Sequence, residues 1–177
     1  QTINIAAGST SGSVSIAAPG EDPYLDVGSV SRSIAGATGG GFESLTVNGA
    51  AVTTAVTDTI DTTTVSITGD AVVAEGATAA YTVSLTSPAQ TAVTVNLSYS
   101  GIAADGSDLT GVATVTIPAG SSSANFSVAT LQDVLAEGAE SFTVTIGSAA
   151  GGNFENLVIS GTNAAATTSI TDDDTPA

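Results

Sequence analysis

Between residues 62 and 174 the apolar side chains recur at every second position. Val65/Ile67, Tyr81/Val83/Leu85, Val93/Val95/Leu97/Tyr99, Val115/Ile117, Phe126/Val128 and Phe142/Val144/Ile146 alternate with Thr, Ser and Asn. This period of two is the pattern of strands that bury one face. No segment carries the three-to-four spacing of an amphipathic helix, and β-branched residues dominate. The alternation predicts seven strands, at 64–69, 79–86, 93–100, 111–118, 123–130, 140–148 and 166–171. Gly, Pro, Asp and Ser cluster between them. Seven short strands in one unit predict an all-β, immunoglobulin-like antiparallel β-sandwich. Large side chains are scarce, which fits a thin core between two sheets.

The chain also repeats itself. Shifted by 112 residues, Thr2–Ser9 falls on Thr114–Ser121, and Gly39-Gly40-Gly41-Phe42-Glu43 falls on Gly151-Gly152-Asn153-Phe154-Glu155. Residues 2–49 match 114–161 without a gap, with 17 identities in 48 positions. A two-residue insertion then brings Val56-Thr57-Asp58 onto Ile170-Thr171-Asp172. Repetition is the first thing to settle, because it sets the unit that folds. The expected organisation is a complete unit over 62–174, preceded at 1–61 by the C-terminal part of another, with strands at about 2–6, 12–17, 28–35 and 50–57. Residues 175–177 are read as a linker to a following unit. A half-unit exposes unpaired strand edges and an apolar face. The chain is therefore expected to be a stretch of a longer molecule whose preceding residues complete the fold, or a polymer subunit completed by strand donation from a neighbouring chain.

Charge removes several functions. The chain has 17 acids and a single cation, Arg32, for a net charge of −16. One cation cannot neutralise a run of phosphates, so nucleic acid is excluded as a partner. An anionic membrane surface would repel the chain, and no apolar run is long enough to insert as a helix. Without His, Cys or Lys, a Ser-His or Cys-His dyad, a zinc site of the usual ligands and a Schiff base are all impossible within this chain. Paired carboxylates alone could do glycoside chemistry, but no aromatic cleft accompanies them, and no enzymatic activity is expected.

Following the strands up and down places ten of the eleven acids of 62–174 at one pole. They are Asp70, Glu75, Asp105, Asp108, Asp133, Glu137, Glu140, Asp172, Asp173 and Asp174; only Glu155 falls at the other end. Each close pair of like charges costs on the order of 1 kcal/mol even in water, so a cation is expected to offset them. Carboxylates from several loops suit Ca²⁺, which takes about six to eight oxygen ligands, better than Mg²⁺, which keeps its own waters. Ten acids are more than one ion can use, so two or more ions close together are expected.

These residues are where a family becomes recognisable. Glu75-Gly76, Gly106-Ser107-Asp108, Thr114–Gly120, Asp133-Val134-Leu135-Ala136-Glu137-Gly138-Ala139-Glu140-Ser141-Phe142 and the closing Asp172-Asp173-Asp174 resemble the Calx-beta repeat, of the kind found as tandem extender domains in giant bacterial RTX-type surface adhesins. The resemblance covers 62–174 fully and 1–61 as a second half. It implies clustered Ca²⁺ bound by Glu75, Asp108, Asp133, Glu137, Glu140, Asp172, Asp173 and Asp174, with Asp105 as a further ligand. Gln132 stands where the family often has another Asp. In the first half Glu21 falls on Asp133, but Leu25 and Gly28 fall on Glu137 and Glu140. Asp22 and Asp26 could substitute there, with Asp58 and Asp61 closing a degenerate calcium site. Arg32 falls on Val144, an inward position.

The reading that follows is a calcium-stabilised spacer repeat of an extracellular bacterial adhesin or surface filament, at the cell surface, with neighbouring repeats and other copies of the protein as partners. A ligand-binding module is the alternative, with the loop at 149–165 as a glycan or protein site. That loop lacks the aromatic platforms on which sugars stack.

Overall fold

The computed structural model describes every residue except Val27, Ala104, Asp105, Leu135, Glu137 and Thr175–Ala177. The chain forms two compact units, one of Gln1–Asp22 with Asp26–Thr59 and the other of Pro23–Leu25 with Ile60–Ala177. The first holds β1 (Ser29–Arg32) and β2 (Val52–Ala55). The second holds β3 (Thr62–Gly69), β4 (Val72–Ala74), β5 (Thr78–Leu85), β6 (Val93–Gly101), β7 (Leu109–Thr110), β8 (Thr114–Ile117), β9 (Ser123–Thr130), β10 (Glu140–Gly151), β11 (Asn156–Ile159) and β12 (Ala165–Thr171).

The larger unit is an all-β sandwich. One sheet runs β4-β12-β10-β6-β8 and the other β11-β3-β5-β9-β7. The alternation does what a period of two requires: Val65 and Ile67 of β3, Tyr81 and Val83 of β5, Val93 and Val95 of β6, and Phe142 and Val144 of β10 are all buried between the sheets. Tyr81 stacks on Phe126 with centroids 5.1 Å apart and meets Phe142 at 6.4 Å. Burial pushes the Tyr81 phenol above its ordinary pKa. Its hydroxyl reaches Thr168 of the opposite sheet, and Thr168 in turn donates to the carbonyl of Asp70 at 2.6 Å. A buried hydroxyl needs such a partner, and this relay ties the two sheets together.

Three features depart from the seven expected strands. The fourth, read as 111–118, shortens to β8, and a separate two-residue strand, β7, precedes it. β7 pairs with β9 in one sheet and β8 with β6 in the other. The crossing is held by the Tyr99 hydroxyl, which donates to the carbonyl of Val112 at 3.1 Å and accepts its amide at 2.7 Å. The first strand also changes sheet. After β3 the chain turns at Asp70, whose carboxylate accepts the Ala80 amide at 2.8 Å, and β4 then runs parallel to β12. Asp70 is thus spent on the turn. Finally, β11 runs parallel to β3 inside the stretch read as the 149–165 loop.

In the smaller unit, 2–6 and 12–17 form no ladder among the described residues, and the strands expected at 28–35 and 50–57 shorten to β1 and β2. The larger unit gives the reason. There β8 and β9, the counterparts of 2–6 and 12–17, pair with β5, β6 and β7, all of which lie before residue 114. The β10–β12 ladder joins two strands of the second half, so its counterpart β1–β2 can form unaided. Its register is the same. Val30↔Thr54 and Arg32↔Val52 map onto Phe142↔Thr168 and Val144↔Ala166, and the Ser31–Thr53 hydroxyl contact at 3.1 Å repeats Thr143–Thr167 at 2.7 Å.

The turns repeat too. Ser9 N–H donates to Ala6 O at 2.9 Å over Gly8 at φ 81°, as Ser121 N–H donates to Pro118 O at 3.1 Å over Gly120 at φ 80°. These are turns that need glycine at the third position. No described residue of the smaller unit is buried: Ile5, Ile16 and Ile34 are each more than half exposed.

Candidate metal centre

The parallel pairing of β4 with β12 builds the acidic pole. Ala74 lies opposite Thr171, so the chain leaves both strands at the same end. Glu75 follows one strand and Asp172-Asp173-Asp174 the other. Glu75 N–H donates to Thr171 O at 3.0 Å, and Ala77 N–H closes the turn onto Ala74 O at 3.1 Å. Gly76 takes φ 70° in that turn, and a Cβ there would lie 2.7 Å from Oε1 of Gln132. Only glycine combines that backbone with that neighbour. One carboxylate oxygen from each of Glu75, Asp172, Asp173 and Asp174 comes within 4.8 Å of the others.

The loop after β9 closes over this group. The buried Thr130 hydroxyl donates to the carbonyls of Ala74 and Ala77 at 3.0 and 2.9 Å. Leu131 N–H donates to Asp108 O at 2.9 Å. Asp133 N–H donates to Glu75 Oε1 at 2.9 Å, and the Gln132 amide donates to Asp173 Oδ1 at 3.0 Å. At the start of β10, loss of surrounding water raises the Glu140 pKa above its ordinary value, and the charges of Asp108, Glu75 and Asp133 add to the shift. Glu75 therefore belongs to two neighbourhoods, one with Asp172–Asp174 and one with Glu140, Asp108 and Asp133.

Asp174 is the most telling member. Its amide donates to Asp172 Oδ1 at 2.8 Å. Its own Oδ2 is enclosed and, among the described residues, accepts no hydrogen bond. Local burial raises its pKa, followed by the charges of Asp173, Asp172 and Asp133. A shielded carboxylate oxygen without a donor is costly unless a cation meets it. The donors gathered here are all oxygens from three segments of chain, which fits a hard cation of the Ca²⁺ type.

The other expected ligands fall as follows. Asp105 and Glu137 lie outside the described residues. Asp61 belongs to the larger unit, and its amide donates to Glu155 Oε2 at 2.7 Å. In the smaller unit Glu21 accepts the Thr59 hydroxyl. Among the described residues, Glu21, Asp22, Asp26 and Asp58 are not drawn into a carboxylate group of the kind formed by Glu75 and Asp172–Asp174. Sequence reasoning did not foresee Thr130 as the clasp, nor Gln132 as a donor to Asp173; a hydroxyl and an amide carry no signal of that role.

Solved structures with this architecture include CBD12 from CALX1.2, at a TM-score of 0.53 and 20% identity over 63% of this chain. The apo form of the Calx CBD1 domain matches at 0.50 and 20% over 62% of this chain and 99% of its own. The calcium binding domain CBD12 of CALX1.1 matches at 0.51 and 23% over 61% of this chain and 44% of its own. The chain also spans 44% of CBD12 from CALX1.2. At these identities the likeness is one of fold, that of a Calx-beta-like repeat. Comparison with curated proteins gives no match. The family profile described as the LapA domain matches residues 1–59 and 61–173, nearly the whole sequence, and the chain therefore belongs to the LapA domain family.

Proposed function

We propose that this chain is a calcium-stabilised structural repeat, an extender segment of an extracellular bacterial adhesin or surface filament, in which Ca²⁺ at the domain pole rigidifies the β-sandwich. The observation that carries the reading is the convergence of Glu75 with Asp172, Asp173 and Asp174, together with an enclosed Asp174 Oδ2 that accepts no hydrogen bond among the described residues. Glu75, Asp172, Asp173 and Asp174 would hold one ion. Glu140, Asp108 and Asp133 would extend the set around the shared Glu75. The ion would crosslink the β4–β5 turn, the loop after β9 and the end of β12, segments that otherwise carry mutually repelling charge. The fold likeness to a structure described as a calcium binding domain supports the same chemistry here.

Such a repeat does its work by holding its ends at a fixed separation. Its partners would be neighbouring repeats of the same protein and other copies of it, and its place the outside of the cell, where calcium is abundant. The net charge of −16 keeps the chain soluble and away from nucleic acid. The direct test is calorimetric titration of the 177-residue protein with CaCl₂, with MgCl₂ as control. Saturable Ca²⁺ binding in the extracellular range, about 10⁻⁴ M or somewhat tighter, is the expected result. No heat from either ion would overturn the reading.

A further inference from the structure

We infer that the apolar groove of the smaller unit is the open face of a sandwich, and that its partner is an additional first-half segment of the same repeat type carrying a carboxylate opposite Arg32. The groove has a volume of about 410 Å³ and is lined by Ile16, Val30, Arg32, Val52, Thr54 and Val56, among others. Under the internal repeat these six correspond to Val128, Phe142, Val144, Ala166, Thr168 and Ile170. In the larger unit five of those counterparts are buried. The groove is thus the core-facing surface of a sandwich without its cover.

The larger unit also identifies what covers that surface. The free edge of β10 is taken by β6 in antiparallel register, and the free edge of β12 by β4 in parallel register. The facing sheet contributes Val65, Ile67, Tyr81 and Val83. All of these lie within residues 62–101. The partner is therefore a polypeptide with that pattern. One alternating strand adds antiparallel to β1 on the side away from β2, and a short strand adds parallel to β2.

A second copy of residues 1–177 does not by itself meet the need. Each copy holds two second halves, 1–61 and 114–174, and one first half, 62–112, which its own larger unit uses. Exchange between copies leaves one groove open per chain, however it is arranged.

Arg32 sets the partner's charge. Its counterpart Val144 is fully buried and lies directly opposite Tyr99 of β6. Directly opposed side chains in a ladder touch. Arg32 is the one cation of the protein, and a guanidinium enclosed at that position requires an anion. The partner strand is therefore expected to present Asp or Glu where β6 has Tyr99.

The test places a second copy of residues 62–112 ahead of residue 1 and compares hydrogen exchange with that of 1–177, both in calcium. Amides of 29–32 and 52–55 should exchange about a hundredfold more slowly in the extended chain, as a locally open segment becomes part of a cooperative unit. Tyr99→Glu in the added copy alone should slow them about tenfold relative to Tyr99→Gln there, which lacks the same hydroxyl, through a charge pair closed inside the interface. Arg32→Val should abolish that second increment. Unchanged exchange at these amides on adding the segment would overturn the proposal. So would slowing in 1–177 alone as its concentration rises, which would make a second copy the cover. A Tyr99→Glu effect that survives Arg32→Val would overturn the charge assignment. If the extended chain precipitates, residues 62–112 supplied as a separate polypeptide give the same comparison with the same deciding outcomes.

Discussion

The side-chain amide of Gln132 donates to Oδ1 of Asp173 at 3.0 Å. A neutral donor thus stands among carboxylates and satisfies one oxygen of the closing triplet. It relieves repulsion in the ion-free protein and offers a cation an amide oxygen in place of a charge. Gln132→Asp should reverse both effects. The added charge should lower the melting temperature in chelator, at a cost of about 1 kcal/mol per close like-charge pair. Calcium affinity should rise about tenfold, or 1.4 kcal/mol. Paired thermal scans and calorimetric titrations check this; weaker calcium binding in the variant would contradict the placement of Gln132.

Glu75 is shared by the two acidic neighbourhoods and Glu155 by neither, since Glu155 accepts the Asp61 amide. Glu75→Gln keeps an oxygen for the Asp133 amide but removes the charge. Calcium affinity should fall by a factor of about ten or more in Glu75→Gln and stay unchanged in Glu155→Gln. Asp173→Ala should behave like Glu75→Gln. Equal affinities in the Glu75 and Glu155 variants would remove Glu75 from the ligand set.

Acidity should act in opposite directions with and without calcium. The pKa values of Glu140 and Asp174 are raised in the fold above their ordinary 4.5 and 3.8, in each case chiefly by loss of water and then by neighbouring acids. The folded state therefore binds these protons more tightly than the unfolded chain does. Their contribution is fully present below the ordinary values and is lost as pH rises through the raised ones. In chelator the melting temperature should fall as pH is raised from about 4 towards 7. In saturating calcium it should rise over the same interval, because the ion needs ionised ligands. Scans in one-unit steps decide it; parallel slopes in the two series would contradict the account.

The inter-sheet relay can be tested without calcium. Tyr81→Phe removes the hydroxyl that meets Thr168 and leaves the Thr168–Asp70 bond in place, which should cost about 1 kcal/mol. A Cβ at Gly69 would lie 2.1 Å from the Tyr81 ring, and that ring is buried. Gly69→Ala should therefore cost about 1–3 kcal/mol through overpacking. Urea unfolding of both variants measures this; a neutral Gly69→Ala would show that the ring has room to move.

The alternation of Val65 with Ile67, or Tyr81 with Val83, was legible because each residue has one face to bury. β4 and β11 were not legible. Each is short, lies at a sheet edge and pairs in parallel, so neither needs an alternating pattern. The change of sheet between β7 and β8 was hidden because Leu109, Val115 and Ile117 are all buried on either side of it, and ties such as the Tyr99 hydroxyl to Val112 and the Leu97 amide to Ala113 O at 2.9 Å come from a distant strand. The acids at the pole could be counted from the sequence, yet Asp70 is spent on the turn before β4, and no composition argument separates it from Glu75 five residues later. The repeat told more than expected. It carries the β1–β2 register and the turn over Gly8 into a unit that buries none of its described residues.

The central claim, that calcium at the pole holds the sandwich together, is tested most directly by differential scanning calorimetry of the 177-residue protein in calcium and in chelator. The account predicts that chelation lowers the melting temperature of the 62–174 unit by roughly tens of degrees, since an ion that binds only the folded state stabilises it by mass action. Superimposable scans in calcium and in chelator would contradict it.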